Sequence, residues 1–411
     1  MSTDQSPTVA TELPRDVIID ILSRLPVRSV IRFSSVCKSW YALIKNPNFI
    51  TKHFNQSSSS SSSSSSHTTD DDNTYFLYTP LNHSNTSNDN ANQSVSFLSN
   101  NNATFDLPIN LDIPFLSISK PFRVSGSCNG LVCLSILPLG PIIMLWNPAT
   151  RVFKDLPISP LTRPQTLPMK VVISFGFDRN ANDYKVLRIV YCCYPINQVD
   201  VYSLSTNSWR EIKTDMRYLI FESSCSVVLG GRFHWKAVGF QELNGKQVIV
   251  SFDMGTEKFR HMLTPRFGLD NEKFGWHLVV FKERLGVIAS MDDGSDKKFD
   301  IWVMNEYGVM DSWAKYISFE PHLTISRPLR CRKNGEVLLE KNNGKLVLYD
   351  PTTQAFKNVG VHGVVCWSEV FIHVQSLLPI KGGKVVEETN LSAIRPDPYF
   401  VRKFDLVLLD R

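Results

Sequence analysis

Hydrophobic positions near the start of the chain recur at helical spacing. Val17, Ile18, Ile21, Leu22 and Leu25 fall on one face of a predicted helix. Pro14 suits its first turn, where a missing N–H costs nothing, and Asp16 sets a negative charge near the positive helix end. Pro26 stops that helix. A second apolar set, Val30, Ile31, Phe33, Val36, Trp40 and Leu43, continues at helical spacing until Asn46-Pro47. About forty residues cannot bury this much apolar surface in a core of their own. The module therefore takes a partner or packs as a cap on the rest of the chain.

The pattern changes after Phe54. Ser57 to Ser66 is an unbroken serine tract, followed by Asp70-Asp71-Asp72. Such a run has no apolar surface to bury and reads as a flexible linker. A second polar stretch, Asn82 to Gln93, reads as a long loop within the next domain. From about Tyr75 onward short apolar or alternating runs are separated by Gly, Asn, Asp and Pro, the signature of an all-β region.

That region repeats. An apolar strand ends in an aromatic, a polar turn follows, and a second aromatic comes next: Trp146 with Phe153, Tyr202 with Trp209, Phe252 with Phe259, Trp302 with Trp313, and Tyr349 with Phe356. The Trp302 copy has a longer turn than the other four. The period is about fifty residues, near the kelch spacing. Each copy is preceded by a further strand start, and Asn129-Gly130, Gly230-Gly231 and Leu285-Gly286 offer the positive φ of tight turns. Two hairpins per period make one four-stranded propeller blade. Five units run from about Phe122 to Val361. Strands near Tyr75–Thr79, Val95–Leu98 and Thr104–Leu107 start one more blade, which Val370–Val374 and Phe400–Leu409 help complete. The count is six blades, with seven as the alternative.

The N-terminal string Leu13-Pro14-Arg15-Asp16-Val17-Ile18, then Ile21-Leu22, Arg24-Leu25-Pro26-Val27-Arg28-Ser29-Val30, Arg32-Phe33 and Val36-Cys37-Lys38-Ser39-Trp40 closely resembles the F-box of plant F-box proteins. The later strings Gly126-Ser127-Cys128-Asn129-Gly130-Leu131, Leu145-Trp146-Asn147-Pro148-Ala149-Thr150-Arg151 and Leu348-Tyr349-Asp350-Pro351 resemble the F-box-associated domain of the same proteins. Members of that family include immunity regulators and the pollen proteins of self-incompatibility. The resemblance implies docking on a Skp1-like subunit, and through it on a cullin–RING core. The implied contacts are Leu13, Pro14, Ile18, Ile21, Leu22, Leu25, Pro26, Val30, Val36, Lys38 and Trp40. Some of these, Trp40 above all, have the alternative role of holding the helices together.

Composition narrows the classes. Of 411 residues, 43% are hydrophobic and 20% charged, ordinary for a folded soluble protein. The net charge of +5, with no dense Lys/Arg block, gives a nucleic-acid role little electrostatic support. The N-terminus has no signal-peptide core, and the most apolar window, Leu131 to Trp146, is broken by Pro138, Gly140 and Pro141, so no membrane span is expected. The eight cysteines form no Cys-x-x-Cys pair and read as reduced thiols.

Catalytic constellations are missing from the sequence: there is no Gly-x-Ser-x-Gly elbow, no His-Glu-x-x-His and no phosphate loop. Ser35 and Lys38 stand at Ser-x-x-Lys spacing but inside the helical module. His234 and Trp235 read as a packed core pair, and Asp292, Asp293 and Asp296 as a solvated turn. No catalytic residue, metal or cofactor is assigned. The expected architecture is mainly β: a tail over 1–10, an F-box over 11–54, a Ser-rich linker over 55–73 and a kelch-like β-propeller over 74–411. The expected function is a non-catalytic substrate adaptor of a Skp1–cullin–F-box ubiquitin ligase, holding an unidentified target protein, in the cytoplasm or nucleus. The alternatives are a kelch-type propeller enzyme, which needs clustered metal ligands on one rim, and an F-box scaffold acting outside a ligase.

Overall fold

A computed structural model describes residues 13–59, 74–79, 95–99, 109–111, 113, 122–136, 142–160, 170–191, 197–214, 216–221, 226–267, 274–291, 297–321, 324–362 and 369–385. The expected strands at 104–107 and 400–409 lie outside these residues, as does most of the serine tract.

Four short helices come first: α1 (Arg15–Ser23), α2 (Val27–Phe33), α3 (Lys38–Ile44) and α4 (Pro47–Ser59). The second apolar set is thus split between two helices. Asn46-Pro47 does end α3, but it also opens α4: the Asn46 side-chain oxygen accepts from the Asn48 N–H at 2.8 Å, the capping geometry that Asn favours. Helix α4 continues into the serine run as far as Ser59, so the start of the predicted linker, 55–59, is helical.

Strands then arrange as six sheets. The first begins with β1 (Thr74–Thr79), β2 (Val95–Ser99) and β3 (Ile109–Leu111). The second holds β4 (Phe122–Cys128), β5 (Leu131–Ile136), β6 (Ile143–Asn147) and β7 (Val152–Asp155). In the third lie β8 (Lys170–Asp178), β9 (Asp183–Tyr191), β10 (Asn197–Ser203) and β11 (Ser208–Glu211). The fourth has β12 (Tyr218–Ile220) and β13 (Val227–Leu229) along one edge of β14 (Arg232–Gly239), followed by β15 (Gln247–Asp253) and β16 (Lys258–Leu263). The fifth runs β17 (Phe274–Phe281), β18 (Arg284–Met291), β19 (Lys298–Met304) and β20 (Trp313–Phe319). The sixth runs β21 (Ile325–Cys331), β22 (Val337–Lys341), β23 (Lys345–Tyr349) and β24 (Phe356–His362). Finally β25 (Glu369–Val374) pairs with β1 and β26 (Lys384–Val385) pairs with β7.

All pairings are antiparallel, and the inner strands β4, β17, β21 and β25 touch those of neighbouring sheets. The result is a six-bladed propeller. Its ring closes because a C-terminal strand, β25, becomes the innermost strand of the blade that β1–β3 began. The expected Val370–Val374 strand does this. The middle strands are buried on both faces, which is why they read as continuous apolar runs; every residue of β6 is buried. The core lies between blades, as in the cluster of Leu187, Val201, Phe233, Trp235 and Phe252.

Two repeat features depart from expectation. Four of the aromatic pairs face each other across the outer hairpin: Trp146 with Phe153, Tyr202 with Trp209, Phe252 with Phe259, Tyr349 with Phe356. In the fifth blade Met304, not Trp302, takes that position opposite Trp313. The strand runs two residues past Trp302 before the hairpin turns, so the indole lies opposite Lys315 and off the shared site, and Trp302 is only partly buried. The tight turn expected at Leu285-Gly286 is made three residues earlier, by Lys282 (φ 47°) and Glu283 (φ 62°). Asn129-Gly130 and Gly230-Gly231 do take positive φ.

Candidate functional site: the helical module and its seat

The module is built around Leu22, Val27, Val30, Leu43, Ile44, Phe49 and Ile50, and Leu377 of the propeller joins that cluster, with Leu378 and Ala149 at its margin. His53 of α4, buried, bonds through Nε2 to the Leu25 carbonyl at 2.9 Å and ties the last helix to the end of the first. Burial holds its imidazole below the usual histidine range. Phe33 and Trp40 meet edge to face at 5.7 Å, which locks α2 on α3. On the outside Arg24 donates to Asp20 at 3.0 Å; this bond holds the exposed carboxyl below its usual range.

The structure separates the predicted contacts into three groups. Leu13 (58% exposed), Ile21 (47%) and Val36 (61%) stand open to solvent. Pro14 and Lys38 are also exposed, while Ile18, Leu25, Pro26 and Trp40 are half-buried. Leu22 (1%) and Val30 (0%) lie inside the helical core and hold the module together.

Three further apolar side chains, Val17, Phe33 and Tyr41, are exposed and were not among those expected. The signal for Val17 was in the sequence. Leu13, Val17 and Ile21 follow at four-residue steps, which stack on one side of α1 and its entry. Phe33 and Tyr41 carry no such mark, since the helical pattern cannot tell a core position from an exposed one on a three-sided helix.

This concentration is the site's main feature. Six of the large exposed hydrophobics of the described residues sit in the small helical module, and apolar surface left in water is what a partner covers. Cys37, exposed between Val36 and Lys38, opens α3. The Ser39 hydroxyl and the Trp40 N–H stabilise its thiolate and lower its pKa.

Elsewhere the possible catalytic groups are engaged. The Ser35 hydroxyl donates to the Arg32 carbonyl at 2.7 Å. His234 bonds Val227 O through Nδ1 at 3.1 Å and the Tyr307 hydroxyl through Nε2 at 2.7 Å; burial pushes it down to about 4. That makes it a clamp between the fourth blade and the Asn305–Ser312 turn of the fifth. Among the described residues no group of three or more His, Cys, Asp or Glu side chains is arranged to hold a metal; Asp292, Asp293 and Asp296 fall outside them. No described helix is long and apolar enough to cross a membrane.

A small helical module with six exposed apolar side chains, seated on a six-bladed propeller, defines an F-box protein of the propeller class. Residues 11–52 match the F-box domain and residues 85–380 match the F-box associated beta propeller domain. The chain belongs to the family of F-box proteins with that propeller. It is 30% identical over 410 residues to the F-box protein At3g07870 of Arabidopsis thaliana, covering 89% of this chain and 91% of that one. It is 28% identical to the F-box protein CPR1 of the same plant, covering 82% of each. Against the Arabidopsis F-box/kelch-repeat protein At3g23880 the identity is 26%, over 84% of this chain and 89% of the relative.

Proposed function

We propose that the chain is the substrate-recognition adaptor of a Skp1–cullin–F-box ubiquitin ligase. One observation carries the reading: the module's internal core is already filled, yet Leu13, Val17, Ile21, Phe33, Val36 and Tyr41 remain exposed on it. A Skp1-like subunit covers that apolar strip, with Pro14 and Lys38 at its border, and brings the cullin–RING core with it. The propeller holds a target protein. The adaptor performs no bond chemistry; it raises the effective concentration of the target's lysines near the ubiquitin-charged enzyme. The compartment is the cytoplasm or the nucleus, in keeping with the unpaired thiols of Cys37, Cys128, Cys133 and Cys331.

Capture of a Skp1-like subunit by the full chain tests the reading. Wild type should retain both that subunit and a cullin. Ile21→Glu, which sets a charge in the middle of the strip, should abolish capture while the melting temperature holds. Equal capture by wild type and variant would remove the exposed strip from the function.

A further inference from the structure

The Leu145-Trp146-Asn147-Pro148-Ala149-Thr150 string marks the chain's family, but the adaptor reading gives Asn147 nothing to do. In the structure Asn147 is fully buried at the end of β6. Its side-chain oxygen accepts from the N–H groups of Ala149 (3.0 Å) and Thr150 (3.3 Å), which shapes its own turn. Its amide nitrogen donates twice to a distant segment, to Ser376 O at 3.1 Å and Leu378 O at 2.8 Å. Those two carbonyls bracket Leu377.

The segment 375–385 follows the closing strand β25 and runs across the second blade. Its Ser376 hydroxyl donates to Asn129 O at 2.7 Å, so close to the turn that Gly130 has no room for a Cβ. Lys154 Nζ donates to Lys381 O at 2.8 Å, and Lys381 Nζ reaches Ser205 O of the third blade at 3.0 Å. The segment ends in β26, paired on β7. Its apolar side chains point two ways. Ile380 is buried in the propeller cluster of Leu145, Leu156 and Leu204, whereas Leu377 is buried in the helical cluster of Leu22, Val30 and Phe49. Arg28 of α2 adds a second contact, its guanidinium 5.9 Å from the centre of the Tyr75 ring on β1.

We propose that residues 375–385 form a strap that seats the F-box on the propeller, with Asn147 as the positioning residue that holds Leu377 in the helical core. The seat fixes how the exposed strip of the F-box is oriented relative to the blades. The covalent connection through the serine tract does not set that orientation. Two pinned carbonyls on either side of one inserted leucine leave the strap no slack at the point of contact. A charged or missing side chain at 377 exposes the underside of Leu22 and Val30. The consequence for ligase geometry rests on the adaptor reading, but the seat itself does not.

The test is the distance distribution between spin labels placed by non-natural amino acids at exposed Asn48 and Thr206 in the full chain, without any partner. The native sequence should give one narrow distribution, unchanged when the serine tract is doubled in length. Leu377→Asp should broaden it roughly twofold or more, toward the spread of a flexible tether. Asn147→Asp should broaden it as well, because it keeps the acceptor for Ala149 and Thr150 but turns a carboxylate on the Ser376 and Leu378 carbonyls. A native distribution that widens with tract length overturns the proposal, and needs no variant of the fold to do so. An unchanged width in either substituted chain, with circular dichroism showing it folded, overturns it too. Failure to capture a Skp1-like subunit bears only on the adaptor reading.

Discussion

The propeller and the F-box handle apolar side chains in opposite ways. In the propeller the large aromatics are inward: Tyr202, Phe233, Trp235, Phe252 and Phe299 are among the most deeply buried side chains, and each lies between blades or within one. The F-box has four short helices, takes Leu377 from the propeller to finish its core, and still leaves six large hydrophobics in water. A ring of sheets can stack each apolar face on its neighbour until the last blade meets the first. A few short helices have no such closure, so their second face stays available. Stability is thus concentrated in one region and partner surface in the other.

The largest expected contrast is in acid. Three propeller histidines carry it, His234 pushed down to about 4 and His277 and His373 to about 3, whereas in the F-box only His53 is lowered by burial. Burial is the first cause in each case, and Arg327, Lys236 and Lys297 add repulsion at His277. The folded state keeps them neutral while the unfolded chain protonates them near pH 6.5. Their contribution is therefore whole above that pH, falls as the pH drops below it, and stops falling near 4 for His234 and near 3 for the others. His234 alone amounts to on the order of 3 kcal/mol across this window. Chemical denaturation at pH 7 and pH 4.5 should show a marked loss of propeller stability, and His234→Gln should flatten part of the slope. A pH-independent midpoint would mean these imidazoles are hydrated.

Next in size is the difference among the repeats themselves. Tyr202→Ala or Phe252→Ala empties a site filled on all sides and should cost about 3–5 kcal/mol. Trp302→Ala should cost clearly less, because that indole stands two residues before the shared position and is partly exposed, and Met304→Ala should approach the Tyr202 value instead. Urea midpoints of the four variants rank them directly. A Trp302→Ala loss as large as that of Tyr202→Ala would restore the five-fold equivalence of the aromatics.

Within the F-box, neighbouring residues divide the two roles. Leu22→Ala should destabilise the module by about 2–5 kcal/mol, with loss of partner capture as a secondary result. Ile21→Ala should leave stability within about 0.5 kcal/mol and still weaken capture. Thermal melts alongside binding titrations of both variants separate core from contact. If Leu22→Ala binds normally in a folded module, its burial is not what supports the strip.

The smallest effect belongs to the serine tract. Removing residues 60–66 should leave the melting temperature nearly unchanged, since serine side chains offer almost no apolar surface to bury. Extending the deletion back to Ser57 should lower it slightly by shortening α4. A fall of many degrees from the shorter deletion would assign the tract a structural role.

These contrasts track what could be read along the chain. The helical module, the six-blade count and the closing role of Val370–Val374 were legible because each is written in local spacing: apolar residues at three and four, aromatics at seven, turns at Gly and Asn. Four aromatic pairs fell at their expected positions for the same reason. The Trp302 copy misled, since its longer turn left open which strand residue faces Trp313, and the pairing puts Met304 there. Splitting Leu22 and Val30 from Ile21 and Val36 needed the packed helices, because sequence periodicity gives a face but not what lies against it.

By itself, then, the sequence determined an F-box, a repeat of blades and the class of protein they make, since short-range pattern dictates each element. Only the tertiary structure decided that Leu377 completes the helical core and that Asn147 holds it there. Those residues lie far apart along the chain, and no local preference of either one records the contact. It exists because closing the ring brings the end of β25 back beside the start of β1, where the F-box enters.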